Sequence, residues 1–192
     1  MAKEILEQLF DSPVKVKLLK LFLRNPDQSF SITEIAKRVK CGSSPCRREL
    51  KKLSDIRLLS IHTRAKKKIY QVNPVFDFYG ELRTLVLKSS PTSKKKLLKK
   101  LRSISGIKLV ITAGVLLNNE VARVDMLVVG DNVSKKRIAN LLTDLEADVG
   151  KELDYVLMNT EEFEYRFEMF DRFLLDVLEK PHEKMINKLK IT

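Results

Sequence analysis

The sequence predicts a chain of mixed α+β and α/β class in two domains. The first is built from helices and a β-hairpin, the second is a smaller α/β domain on an open sheet. Three observations lead there. Helix caps and helical apolar spacing dominate up to about residue 55, and two short alternating runs follow. Beyond residue 106, short apolar runs alternate with helical ones, which is the order of an α/β layer structure. The charge divides at the same place. Residues 1–105 carry 25 Lys and Arg against 9 Asp and Glu, and residues 106–192 carry 12 against 16, so a net of +16 and a net of −4 make up the overall +12. A strongly basic half joined to a mildly acidic one points to a polyanion as the partner of the first half.

The bulk composition narrows the class further. With 192 residues, 44% of them hydrophobic and 32% charged, the chain has enough apolar content for a core under a busy surface. No run approaches the roughly 20 apolar residues of a membrane span, and "MAKEILEQLFDSP" alternates charged with apolar residues and lacks a signal-peptide core. A soluble cytoplasmic protein is expected. Its two cysteines, Cys41 and Cys46, are too few for a disulfide framework.

The first element is a helix in "DSPVKVKLLKLFLRNPDQ". Ser12 is its N-cap, Pro13 its first residue, and Val14, Leu18, Leu21 and Phe22 share one face. Asn25-Pro26 ends it. "SITEIAKRVK" opens a second helix near Ile32, with Ser31 and Glu34 at capping-box spacing and Ile32, Ile35, Ala36 and Val39 inward. "CGSS" turns the chain, with Gly42 available for a positive φ. A third helix restarts with Ser44 as cap and Pro45 as first residue, and turns Leu50 and Leu53 inward. Two helices joined by so tight a turn form a helix-turn-helix. Residues 59–64 and 69–72 alternate, with Ala65-Lys66-Lys67-Lys68 between them, so a β-hairpin with a cationic tip follows: a wing.

The exposed face of the third helix carries Arg47, Arg48, Lys51 and Lys52. A major groove admits an α-helix, and the phosphates beside it attract a lysine-rich hairpin. Ser43, Ser44, Arg47, Arg48, Lys51, Lys52, Arg64, Lys66, Lys67 and Lys68 are therefore the expected DNA contacts. Cys41 and Cys46 flank the turn. Incidental thiols are the plainer reading; a redox switch or a metal clip is the sharper one, with Arg47 and Arg48 lowering the Cys46 pKa at a helix N-terminus. No second cysteine pair or nearby histidine completes a zinc site.

A connector helix is expected over residues 76–88, its stripe of Phe76, Tyr79, Leu82, Leu85 and Val86 serving either a dimer contact or its own domain. The first domain then spans 1–90 and the second 91–192, with the break at 89–93. Residues 94–104 make a basic amphipathic helix with Leu97, Leu98 and Leu101 on one side; it opens the second domain, with lysines that reach DNA phosphates. A strand at Ile107–Thr112, a second at 124–129, a helix in "VSKKRIANLLTDLEADVG", a third strand in "LDYVLMN" and one long helix in "TEEFEYRFEMFDRFLLDVLE" complete the chain. The acidic run 161–168 is an exposed helix face.

One residue breaks the second strand's apolar run. Asp125 is costly to bury without a partner, and Arg123, two residues earlier, points to the same face of a regular strand.

In this order the elements resemble prokaryotic winged helix-turn-helix transcriptional regulators fused to a nucleotidyltransferase-like domain. The resemblance rests on "SPVKVKLLKLFLRNPDQSFSITEIAKRV", "SSPCRRELKKL", "FYGELRTLVLK", "VDMLVVGD" and "LDYVLMNTEEFEYR", and covers roughly residues 10 to 180. In an active nucleotidyltransferase the first strand ends in Gly-Ser, which holds phosphate. The second carries Asp-x-Asp for magnesium, and a later strand supplies a third carboxylate. The resemblance places these on Ala113-Gly114, on Arg123 and Asp125, and on Asp154, with "LLNN" where Arg-Gly usually follows. One magnesium ligand has become a cation, and two-metal chemistry needs closely placed oxygens. The expectation is a degenerate pocket in which Arg123 pairs with Asp125, without catalysis, metal or cofactor.

The function expected is that of a sequence-specific DNA-binding regulator, a homodimer on an inverted repeat, with no membrane partner. Its second domain serves as a dimerisation scaffold or senses a small anionic or nucleotide ligand through Arg123. Two other classes compete: an active nucleotidyltransferase targeted by its winged helix, and an RNA-binding accessory protein.

Overall fold

The computed structural model describes residues 5–89, 94–119 and 122–191. The chain is a mixed α/β protein that divides into two compact units, residues 1–89 together with 146–151, and residues 90–145 together with 152–192. The expected break at 89–93 lies, from residue 90 on, outside the described residues.

The first unit opens with a short helix, α1 (Ile5–Phe10), which the sequence reading did not anticipate. The next helix, α2 (Pro13–Arg24), begins where its cap demands: the Ser12 hydroxyl accepts from the Lys15 amide at 3.1 Å. Its residues from Leu18 to Arg24 are all buried, so it is wrapped on every side rather than along one stripe. A two-residue strand, β1 (Phe30–Ser31), leads directly into α3 (Ile32–Arg38). Both halves of the capping box form there, with Glu34 accepting from the Ser31 amide at 2.7 Å.

The turn into α4 (Ser43–Asp55) differs from expectation. The positive φ, 50°, is taken by Lys40 and not by Gly42, which is the N-cap at φ −62°. The first helical bond runs from the Cys46 amide to the Gly42 carbonyl. Ser44 is therefore inside the helix and not its cap. Pro45 sits in the first turn, where a missing N–H leaves no bond unmade. Cys46, Leu50 and Leu53 face the core with Leu18, Phe22, Ile35 and Leu58. Each fully buried large apolar side chain of this kind contributes about 1.5–3 kcal/mol.

The hairpin pairs β2 (Leu59–Arg64) with β3 (Lys67–Val72), from Leu59↔Val72 to Arg64↔Lys67, and β3 also pairs with β1. Its tip is only Ala65-Lys66, both at positive φ (47° and 60°), as a type I′ turn requires. Lys67 and Lys68 thus belong to the strand and not to the tip. Left-handed backbone strains an alanine, so Ala65→Asn is expected to stabilise the unit by about 0.5–1 kcal/mol. A variant that melts no higher than wild type would contradict this turn.

The connector helix, α5 (Tyr79–Lys88), starts three residues later than its apolar stripe implied. Asn73-Pro74 first makes a turn in which the Asn73 side chain accepts from the Val75 amide at 3.2 Å. Val86 is fully buried, and Phe76, Tyr79 and Leu82 pack against the core of their own unit, so the stripe is committed there; Leu85 stays 39% exposed.

The second unit begins with α6 (Lys94–Arg102), which buries Leu97 and Leu101. The strand β4 (Ile107–Thr112) follows as expected, then a single 3-10 turn (Gly114–Leu117). The next strand, β5 (Met126–Gly130), starts after Val124 and Asp125 rather than including them. Helix α7 (Lys135–Val149), whose residues from 146 on belong to the first unit, and strand β6 (Tyr155–Met158) come next. The expected long helix is two helices, α8 (Thr160–Glu168) and α9 (Arg172–Glu179). Phe170 breaks it at φ 51°, and the Asp171 carboxylate restarts it by accepting from the Phe173 and Leu174 amides. Glu161, Glu164 and Glu168 are exposed on α8. A last strand, β7 (Glu183–Asn187), also unanticipated, completes a four-stranded sheet in the order β6-β5-β4-β7. Among the described residues of this sheet, only β5 and β6 run parallel. No helix among the described residues is long and apolar enough to cross a membrane.

Candidate functional site

In the first unit, pairing of Ser31 with Ile69 draws the start of α3 against β3. A cleft of about 280 Å³ lies where they meet α4, lined by Ser31, Ile32, Thr33, Arg47, Lys67, Lys68 and Tyr70. Three cations and three hydroxyls converge on it. Glu34, which follows the lining residue Thr33, is already engaged: the Ser31 amide and hydroxyl hold its carboxyl below the usual range, and Arg38 and Lys67 add to that. The cleft therefore presents positive charge and donors to an anion.

The structure places the remaining expected contacts around it. Arg47 and Lys51 stand one turn apart on α4, and Arg48 and Lys52 form the adjoining row. All four are exposed. Lys52 is paired with Glu49 at 3.0 Å, so its charge is largely spent. Among the described residues no ion pair within 4 Å engages Arg47, Arg48, Lys51, Arg64, Lys66, Lys67 or Lys68. Ser43 and Ser44 are exposed in the first turn of α4. Thr33 and Tyr70 escaped sequence reasoning, because only the short β1–β3 pairing brings them to α4.

Both cysteines are free. Cys46 is fully buried, and burial first, then the neighbouring Cys41, pushes its thiol up to about 12. The lowering expected from Arg47 and Arg48 is overturned: both side chains are exposed, while the sulfur lies in the core. Among the described residues no group of three or more His, Cys, Asp or Glu is placed to hold a metal.

In the second unit Asp125 is buried, as its place in an apolar run implied, but its partner is not Arg123. One carboxylate oxygen accepts from the Val115 amide at 2.7 Å and the other from the Asp154 amide at 2.9 Å. The Asp125 backbone is held too, its N–H donating to the Asp154 carbonyl and its carbonyl accepting from the Ala113 amide. Arg123 is exposed, with its guanidinium 5.4 Å from the Phe173 ring centroid. The same-face rule fails because residues 123–125 precede the strand and bend. Ala113-Gly114 opens the turn after β4, and Gly114 has φ +55°. A Cβ on Gly114 would come within 2.1 Å of the Asp125 carboxylate. Asp154 contributes its backbone to this cluster, and its side chain is exposed. The turn's amide is thus taken by the chain's own carboxylate.

Asp131, just past β5, was not singled out in the sequence. Its carboxylate accepts from Lys108 at 2.8 Å and from the Thr160 amide and hydroxyl, tying β5 to the start of α8. These bonds, Lys108 first, lower its pKa to about 2. The depressed value means that its contribution is complete above the unfolded pKa of about 4 and is lost as pH falls toward 2. Urea midpoints should fall over that window in wild type and fall less in Asp131→Asn. Parallel curves would remove Asp131 from the acid response.

Comparison with protein-family models, with curated proteins and with solved structures finds no match for this chain.

Proposed function

We propose that the first unit is a winged helix-turn-helix that binds duplex DNA. On this reading α4 is the recognition helix, the β2–β3 hairpin is the wing, and the chain is a sequence-specific transcriptional regulator acting as a homodimer. The observation that carries the reading is the convergence of Arg47, Lys67 and Lys68 with the Thr33 and Tyr70 hydroxyls on one cleft beside the exposed row of α4. Phosphate contacts of this kind fix a helix in register on a duplex, and side chains farther along that helix meet base edges.

The second unit is a nucleotidyltransferase-like domain without transfer chemistry, used as a scaffold. Asp125 supports this. An anion seated at the turn after β4 needs the Val115 amide, which Asp125 already occupies. Arg123 lies over Phe173, which speaks against its replacing a metal in an anion sensor.

The test is binding of the full chain to a selected duplex, with structured RNA as competitor, together with sedimentation and a transfer assay with labelled ATP and magnesium. Preferential duplex binding by a dimer, with no label transferred, is expected. Preference for the RNA would overturn the DNA reading, and magnesium-dependent transfer would overturn the inactive scaffold.

A further inference from the structure

We propose that the second unit carries its own phosphate-binding face on α6, which grips duplex DNA without reading its sequence. Helix α6 holds six cations and no acid in nine residues. Two of the six are internally neutralised: Lys94 by Glu183 and Lys100 by Asp144. Lys95, Lys99 and Arg102 are exposed and, among the described residues, in no ion pair within 4 Å. Their spacing of four and then three residues puts them on one stripe. That stripe extends roughly 10 Å at 1.5 Å per residue, about the rise of three phosphates along one strand. At its end the Arg137 guanidinium donates to the Ser103 carbonyl at 3.3 Å, which brings the exposed Arg137 of α7 beside it, with Lys135 and Lys136, also exposed, preceding it in that helix. Unneutralised cations thus gather on one face of a unit whose residues from 106 on are net acidic.

The chemistry of the face selects the polyanion. A basic amphipathic helix on a membrane inserts its apolar side. Here Leu97 and Leu101 are buried and Leu98 is half-buried, which leaves little apolar side to insert, so electrostatics dominates. Single strands are held by stacking on aromatic side chains, and α6 has none. A duplex backbone requires only a line of cations.

This goes beyond the reading of the first unit and is separable from it. The experiment measures affinity of the full chain for a scrambled duplex over a range of salt, in wild type, in Lys95→Ala/Lys99→Ala/Arg102→Ala, and in Arg47→Ala/Lys67→Ala/Lys68→Ala. The α6 variant is expected to keep the wild-type melting temperature and to flatten the log–log salt slope by about 0.9 per contact, about 2.7 in all. If it misfolds, glutamine at the same three positions replaces alanine. An unchanged slope in a folded α6 variant overturns this inference and leaves the first unit's role intact. A loss confined to the α6 variant supports the inference and removes the cleft instead. A wild type that binds no duplex overturns both. Binding to vesicles containing phosphatidylserine that is lost in the α6 variant while its DNA slope is unchanged overturns this inference alone, since the face then serves a membrane.

Discussion

Asp125→Ala is expected to cost the second unit about 2–4 kcal/mol, because it leaves the Val115 and Asp154 amides without an acceptor, and a buried orphan donor costs about 1–3 kcal/mol. Asn at this position should recover part of the loss. Its single carbonyl can accept from one amide, while its NH2 faces the other N–H donor. Gly114→Ala should be costly as well, for two reasons that can be separated. Alanine is strained at φ +55°, and its Cβ collides with the same carboxylate. Removing Asp125 relieves only the collision. The double variant should therefore be more stable than the two single costs add up to, a coupling that a double-mutant cycle measures. Arg123→Ala should change stability by less than about 1 kcal/mol, the scale of an exposed cation–π contact. Urea unfolding decides it: an Asp125→Ala variant within about 0.5 kcal/mol of wild type would mean that these amides find other partners.

The largest effect on binding is expected from Arg47→Ala/Lys67→Ala/Lys68→Ala. If each side chain meets one phosphate, affinity should fall on the order of a hundredfold at low salt and the salt slope by about 2.7. Fold stability should hardly move, because all three side chains are exposed. Lys52→Ala is the informative control. It sits on the same helix but is already paired with Glu49, so its loss should weaken binding much less. Equal losses from Lys52→Ala alone and from the triple change would show that the cleft has no special part.

What could be read from the sequence was local. Ser12 before Pro13, and Ser31 three residues before Glu34, announce helix starts because the capping atoms lie within the motif itself. The β4 strand was legible because a short apolar run, Leu109 to Ile111, ends at a small-residue turn. The failures share a different cause. Ala65, Lys66 and Phe170 take left-handed backbone that local rules assign to Gly or Asn, so the two-residue length of the hairpin turn and the break between α8 and α9 carried no signal. Strand β7 exists because β4 offers it an edge, which its own residues do not reveal. The Asp125 cluster was half legible. A buried carboxylate demands partners, but these are backbone amides from two distant segments, and no side-chain code marks them.

The burial of Cys46 beneath the exposed row of α4 has a kinetic consequence. With its thiol up at about 12, almost none of it is thiolate at neutral pH, and no reagent reaches it while the helix stays closed. Alkylation of Cys46 must then wait for α4 to open, at a rate set by the opening equilibrium of that helix. The partly exposed Cys41 has no such gate. The slower of the two labelling phases is thus a built-in clock for local unfolding of α4, and a duplex clamped on that helix should slow it.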